Sequence, residues 1–177
     1  MALDSGLLQS ELLSKVIANT HYEPSQTRAE QFQEAGRRWA DAYGTYAAAA
    51  SSCATIIDTE VLPLQQQAMA GSLASAFQAA QDAASAATAL VTGLGLFWAN
   101  PLLWKIIPPI FPVTLVVPGG AVALQPLLVA AFAANAVGRP THAQVAQQFA
   151  SLLDAYTTAV VVTHGVVPGP GCAAPIF

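Results

Sequence analysis

Histidines and cysteines are the first residues in this sequence that could carry chemistry. His21, His142 and His164 lie far apart, and none has a second histidine four residues away or an acidic cluster beside it. Those patterns would hold a zinc ion on a helix. Cys53 and Cys172 are also distant from each other, so their spacing indicates neither a metal site nor a disulfide framework. We therefore expect no metal ligand in this chain.

Glycine motifs and carboxylates do not indicate an enzyme either. Gly93-Leu94-Gly95 lacks the third glycine of a dinucleotide fingerprint, and Gly119-Gly120 lacks the Lys-Ser/Thr of a phosphate loop. There is no G-x-S-x-G elbow, and the ten carboxylates lie mostly on helices that the sequence predicts to be solvated. We expect no catalytic residue and no cofactor, and hence a non-enzymatic role.

The composition shows which kind of partner to expect. The 177 residues are 54% apolar and 9% charged, with a net charge of −4, whereas a typical soluble domain is about 25% charged. Only six residues are basic, which argues against nucleic acid as the main partner. Twelve of the sixteen charged residues fall in the first sixty positions. The remainder of the chain is therefore predicted to be covered by protein or by lipid.

The first residues do not resemble a secretory signal, because Asp4 and Glu11 stand where such a signal has basic and then continuously apolar residues. We expect the chain to be made and kept in the cytoplasm or packaged there into a larger body.

The predicted fold class is mainly α with a small β element (α+β). Apolar residues at helical spacing predict about five helices, at 5–18, about 26–50, 61–98, 121–137 and from residue 141 onwards. Two capping-box patterns, Thr27 with Glu30 and Thr141 with Gln144, mark two of the helix starts. The segment 121–137 is uncharged and is predicted to be a buried helix.

Two short β-rich runs predict a pair of strands near 113–117 and 157–163. An irregular apolar loop precedes the first, because prolines interrupt residues 102–112. Residues 1–165 are predicted to form a single helical domain. Residues 166–177, rich in Gly and Pro and without charge, are predicted to form an extended C-terminal arm laid on a partner subunit.

Two uncharged segments, 83–104 and 106–138, are long enough to raise membrane insertion as an alternative. Prolines interrupt the second segment five times, and Gly93, Gly95 and Pro101 weaken the first. Broken backbone facing lipid would leave peptide groups unpaired. A membrane-inserting or pore-forming protein therefore remains the alternative, and burial against other protein chains is the favoured prediction.

A monomer of this size would expose a large apolar patch, which obligate oligomers cover with a neighbouring subunit. We expect the interface to lie between Trp98 and Val117 and along the arm. Its candidate residues are Trp98, Trp104, Ile107, Ile110, Phe111, Val166, Val167, Cys172, Ile176 and Phe177.

The Ala/Gln-rich helical body, the few charges and the ending TTAVVVTHGVVPGPGCAAPIF together resemble small structural proteins of tailed-bacteriophage virions and related phage-tail-like particles. The resemblance implies a capsid, neck, tail or baseplate subunit, made in the host cytoplasm and found in the assembled particle. Its partners would be copies of itself and other structural proteins of that particle. No residue role is carried over from it.

Overall fold

The computed structural model describes residues 3–19, 23–52, 55–106, 113–118, 120–164 and 172–176. The chain is mainly α-helical with a few short antiparallel strands, which confirms the predicted fold class. The α-helices are α1 (Ser5–Glu11), α2 (Arg28–Ala47), α3 (Leu62–Ala79), α4 (Ala83–Trp98), α5 (Ala121–Val137) and α6 (His142–Thr158). A π-helical segment, Leu12–Ile17, continues α1, and a 3-10 turn, Pro101–Leu103, follows α4.

Capping boxes fix the starts of three helices. The capping boxes predicted at Thr27 and Thr141 are confirmed at the starts of α2 and α6. A third box, which the sequence reading missed, starts α4, where the Asp82 carboxylate accepts a hydrogen bond from the Ser85 amide at 2.8 Å. Because Ala80 is extended just before it, the predicted run 61–98 is two helices and not one.

The six helices pack as a closed ring that follows the chain. Each of α2, α3, α4, α5 and α6 packs on the next, and α6 returns to α1, which also contacts α2. The inward side chains of all six form one continuous cluster, with Tyr43, Leu90, Phe97 and Leu153 fully or almost fully buried. Each helix therefore has an inner face toward the shared core and an outer face.

The strands form two small antiparallel sheets. The first joins β1 (Ser51–Ser52), β2 (Thr55–Ile57) and β3 (Trp104–Ile106) in that order. The second joins β4 (Val113–Pro118), β5 (Val160–His164) and β6 (Cys172–Pro175), with β5 in the middle. The predicted pairing of the runs 113–117 and 157–163 is confirmed by β4 and β5.

Two boundaries differ from the prediction. Helix α6 continues through Thr158, so the strand starts only at Val160. The Thr157 hydroxyl finds its acceptor within the helix, donating to the Leu153 carbonyl at 2.7 Å. Residues 104–106, predicted as part of an irregular loop, pair with β2 as β3.

The C-terminal arm is also corrected in part. Cys172–Pro175 forms β6 and pairs with β5 of the same chain, and the Ile176 amide donates to the Val160 carbonyl at 3.0 Å. This portion is therefore an edge strand of the chain's own sheet. Residues 165–171 and 177, the rest of the predicted arm, lie outside the described residues.

Candidate functional site

Three of the predicted interface residues lie in the chain's own core, which corrects their assignment to a surface. Trp98 is 0% exposed, Trp104 5% and Ile176 2%. The two indole rings stack on each other with centroids 5.6 Å apart. Large aromatic side chains gain most from burial, and the ring of helices gives them an interior to fill. Cys172 lies in β6, and the other candidates lie outside the described residues, namely Ile107, Ile110, Phe111, Val166, Val167 and Phe177.

A directed chain of hydrogen bonds crosses the core. Trp98 Nε1 donates to Tyr43 Oη at 2.7 Å, and the Tyr43 hydroxyl lies 2.7 Å from Thr157 Oγ1. Because the single hydroxyl proton of Thr157 is donated to the Leu153 carbonyl, Tyr43 must donate to Thr157. Burial raises the pKa of Tyr43, so its hydroxyl stays protonated. The chain ties α4, α2 and α6 together and presents no reactive group.

A second polar contact joins α2 to α6. The Tyr46 hydroxyl donates to Asp154 Oδ1 at 2.5 Å. Burial is the main cause that raises the pKa of Tyr46, and the bond to the carboxylate acts in the same direction. The phenol therefore serves as a donor that holds Asp154, one of the few charged side chains in the second half of the chain.

Within the described residues, no group of three or more His, Cys, Asp or Glu side chains is placed to hold a metal ion. Over the same part of the chain, none of the helices combines the length and the apolar character needed to cross a bilayer.

A groove of about 580 Å³ lies between α2 and α3, lined by amide side chains, small residues and the pair Arg37 and Asp41. Arg37 Nη1 donates to Asp41 Oδ2 at 2.7 Å, and its other nitrogens donate to Glu34. The charged groups of the groove therefore satisfy one another on one helix. This arrangement is a solvated helix face and offers no specific ligand chemistry.

The outer face of α5 is the most unusual surface among the described residues. Only Leu124, Leu128 and Ala131 of this helix are buried, so the prediction of a buried helix is wrong for more than half of its residues. Eight apolar residues are exposed on one side of α5. At 3.6 residues per turn, they fall within an arc of about 140° around the helix axis. They are Val122, Ala123, Pro126, Leu127, Ala130, Ala133, Ala134 and Val137, and together they are called the α5 strip below.

The α5 strip contains no polar group. Val122 is 88% exposed, Leu127 53% and Val137 86%. The helix carries only two polar side chains, and both are used within the chain. Gln125 Nε2 donates to Thr88 Oγ1 of α4 at 3.0 Å, and Asn135 Nδ2 donates to Gln148 Oε1 of α6 at 3.3 Å.

The neighbouring helices extend this uncharged surface. Helices α3, α4 and α5 follow one another around the ring and contain no charged residue. The outer residues of α4 are small or apolar, and they are Ala84, Thr88, Thr92 and Leu96. The charged residues of helices lie instead mainly on α1, its π-helical continuation and α2. The outer faces in one half of the ring therefore carry charged residues, and those in the other half do not.

Sequence reasoning located the uncharged segment, but it assigned Trp98, Trp104 and Ile176 to a surface although the structure buries them, and it did not single out the exposed face of α5. The signal was available in α5 itself. An outer face normally shows charged or polar residues at helical spacing, whereas 121–137 has no charged residue and only two polar ones, Gln125 and Asn135. Comparison of the chain with protein-family models, curated proteins and solved structures found no match.

Proposed function

We propose that this chain is a non-enzymatic structural subunit of a large protein assembly. The observation that carries the proposal is the α5 strip. A helix that is apolar on all sides belongs in the interior of a protein or a membrane, and contiguous exposed apolar patches mark interaction surfaces. The inner face of α5 is covered by its own chain, so the strip is the part left for a neighbouring subunit.

The kind of assembly is proposed from the resemblance in composition and layout to tailed-bacteriophage structural proteins. In that setting the chain is a capsid, neck, tail or baseplate component, made in the host cytoplasm and retained in the particle. Its partners are copies of itself and other structural proteins. Mass spectrometry of purified particles tests this assignment directly, because a structural component must be present at a fixed stoichiometry to the other particle proteins, and its absence from the particles would exclude the role.

Assembly itself is tested by placing one charge on the α5 strip. Ala130→Glu buries a carboxylate in the proposed contact, where an unpaired charge is strongly unfavourable. Ala29→Glu is the matched control, because Ala29 is also an exposed helical alanine but lies in the first turn of α2, among charged residues. Light scattering should show a wild-type oligomer, retained in Ala29→Glu and lost in Ala130→Glu. Three monomeric proteins, or three identical oligomers, would contradict the proposal.

Flotation with phosphatidylcholine and phosphatidylglycerol vesicles separates protein burial from lipid burial. The wild-type chain should stay at the bottom of the gradient. Flotation of the wild type that is abolished by Ala130→Glu would assign the α5 strip to a membrane surface and overturn the assembly proposal.

A further inference from the structure

We propose that the α5 strip packs against the α5 strip of a second copy of this chain, in an antiparallel arrangement with a two-fold axis at Ala130. This inference rests on the proposed function and names the partner that covers the strip.

The shape of the α5 strip is complementary to itself. In an antiparallel pair centred on Ala130, residues equally far before and after position 130 share a layer, because each residue advances about 1.5 Å along the axis. Every layer within the helix then combines a larger residue with an alanine, or two alanines at the centre, and Val122 faces Gly138 just beyond the end of α5. The layers pair Leu127 with Ala133, Pro126 with Ala134, Ala123 with Val137, and Ala130 with itself.

A parallel pair would not fit in this way. Each residue would then meet its own copy, so Leu127 would share a layer with Leu127 and Val137 with Val137, while Ala130 would still meet Ala130. The helices would be held apart by the large layers and leave a gap at the small one. Close packing without voids is the condition for a stable apolar contact, and the antiparallel arrangement meets it.

Electrostatics also favour a second copy. Because α5 carries no charge, self-pairing brings no like charges together. The Gln125 and Asn135 side chains are already hydrogen-bonded to α4 and α6, so neither needs a partner from outside. A partner with an ordinary charged surface would lose hydration on contact with the α5 strip and find no compensating group.

The available area suits an interface of this kind. A 17-residue helix is about 25 Å long, and together with α4 at a usual axis spacing it forms a surface about 20 Å wide. Two copies would bury about 1,000 Å² in total, which is near the lower bound for a specific interface. The α5 strip alone would be too small, so the outer face of α4, with Thr92 and Leu96, is part of the contact.

Engineered disulfides test the register. In a background with Cys53 and Cys172 replaced by serine, Ala130→Cys places two thiols on the two-fold axis, within the Cα separation of 4.4–6.8 Å that a disulfide needs. Ala123→Cys is the control, because its two copies would be about 21 Å apart along the helix direction. The double variant Ala123→Cys with Val137→Cys restores a facing pair. Oxidation followed by non-reducing electrophoresis measures covalent dimer.

We expect Ala130→Cys and the double variant to cross-link at least tenfold faster than Ala123→Cys at equal concentration. Equal cross-linking of Ala130→Cys and Ala123→Cys would overturn the antiparallel register in favour of a parallel one. Failure of Ala130→Cys to cross-link, while light scattering of the same sample shows an oligomer, would overturn the self-pairing but leave the proposed function standing. A monomer in light scattering would overturn both. Circular dichroism of each variant confirms that it is folded, since all three positions are exposed.

Discussion

Trp98 and Tyr43 meet in the centre of the ring of helices, where the indole N–H donates to the phenol oxygen at 2.7 Å. Both side chains are 0% exposed, and their rings lie edge to face with centroids 6.2 Å apart. Because Tyr43 also donates to Thr157, a single hydroxyl links three helices. Buried polar groups that are fully satisfied fix one arrangement of a core, whereas a buried group without a partner is costly.

Tyr43→Phe should lower the free energy of unfolding by about 1–3 kcal/mol, because the Trp98 N–H would remain buried without its acceptor. Urea denaturation followed by circular dichroism measures the change. Tyr156→Phe is the matched control, since its hydroxyl is buried with no hydrogen-bond partner among the described residues. That change should be neutral or slightly stabilising, and equal losses in the two variants would show that the network contributes nothing.

The close approach of α2 and α3 gives a second prediction. A Cβ atom on Gly36 would lie 2.5 Å from the Ala70 carbonyl oxygen and 2.9 Å from the Ala74 nitrogen, and backbone atoms cannot move aside cheaply. Gly36→Ala should therefore destabilise the fold by about 1–3 kcal/mol through overpacking, despite the gain in helix propensity. Thermal denaturation measures the shift.

Gly71→Ala provides the comparison for that substitution. No atom lies within 4 Å of a Cβ built on Gly71, and the residue is exposed within α3. Removing a glycine from a helix interior should stabilise the protein by about 0.5–1 kcal/mol. If Gly36→Ala were also stabilising, the two helices could not be as close as the structure places them.

Local signals in the sequence predicted much of this fold. The boxes at Thr27 and Thr141 depend on residues three positions apart, so they are visible without any tertiary information. The pairing of β4 with β5 followed from two β-branched runs. The start of α4 at Asp82 was missed even though its box is equally local, because alanine-rich sequence on both sides gave the same helical pattern.

The candidate site depended on tertiary structure and could not be predicted in the same way. An apolar run does not reveal whether its own chain or another covers it. Trp98 and Trp104 were assigned to a surface but fill the interior of the ring, while Leu127 and Val137 were taken as buried and are exposed. The order of helices around the ring decides both outcomes, and that order depends on contacts between distant segments.

Glu34 gives a prediction of pH dependence. Its Oε1 accepts from Arg37 Nη2 at 2.7 Å and from Arg38 Nε at 2.8 Å. The hydrogen bond from Arg37, with smaller contributions from Arg38 and from both positive charges, lowers the pKa of Glu34 from 4.5 to about 2. Because the folded-state pKa is below the unfolded one, the stabilisation is complete above pH 4.5 and disappears as the pH falls toward 2.

Glu34→Gln should therefore lower the free energy of unfolding at pH 7 by about 1 kcal/mol, a modest value because the group lies at the surface. The difference between the two proteins should shrink as the pH is lowered from 4.5 to 2. Urea midpoints measured across this range test the prediction. A difference that stays constant with pH would show that the carboxylate charge is not what the arginines stabilise.

Ile176 decides whether the end of the chain belongs to this fold or to a partner. Its side chain is 2% exposed within a single chain, and its amide donates to Val160 at 3.0 Å. Ile176→Ala should lower the free energy of unfolding by about 2–5 kcal/mol, as for other large-to-small changes in a core. Leu102→Ala, at a position that is 72% exposed, should have little effect.

The loss at Ile176 should also be independent of protein concentration, because the covering atoms come from the same chain. A loss that grows on dilution would mean that a second subunit holds this residue, and the C-terminal segment would then be an intersubunit arm after all.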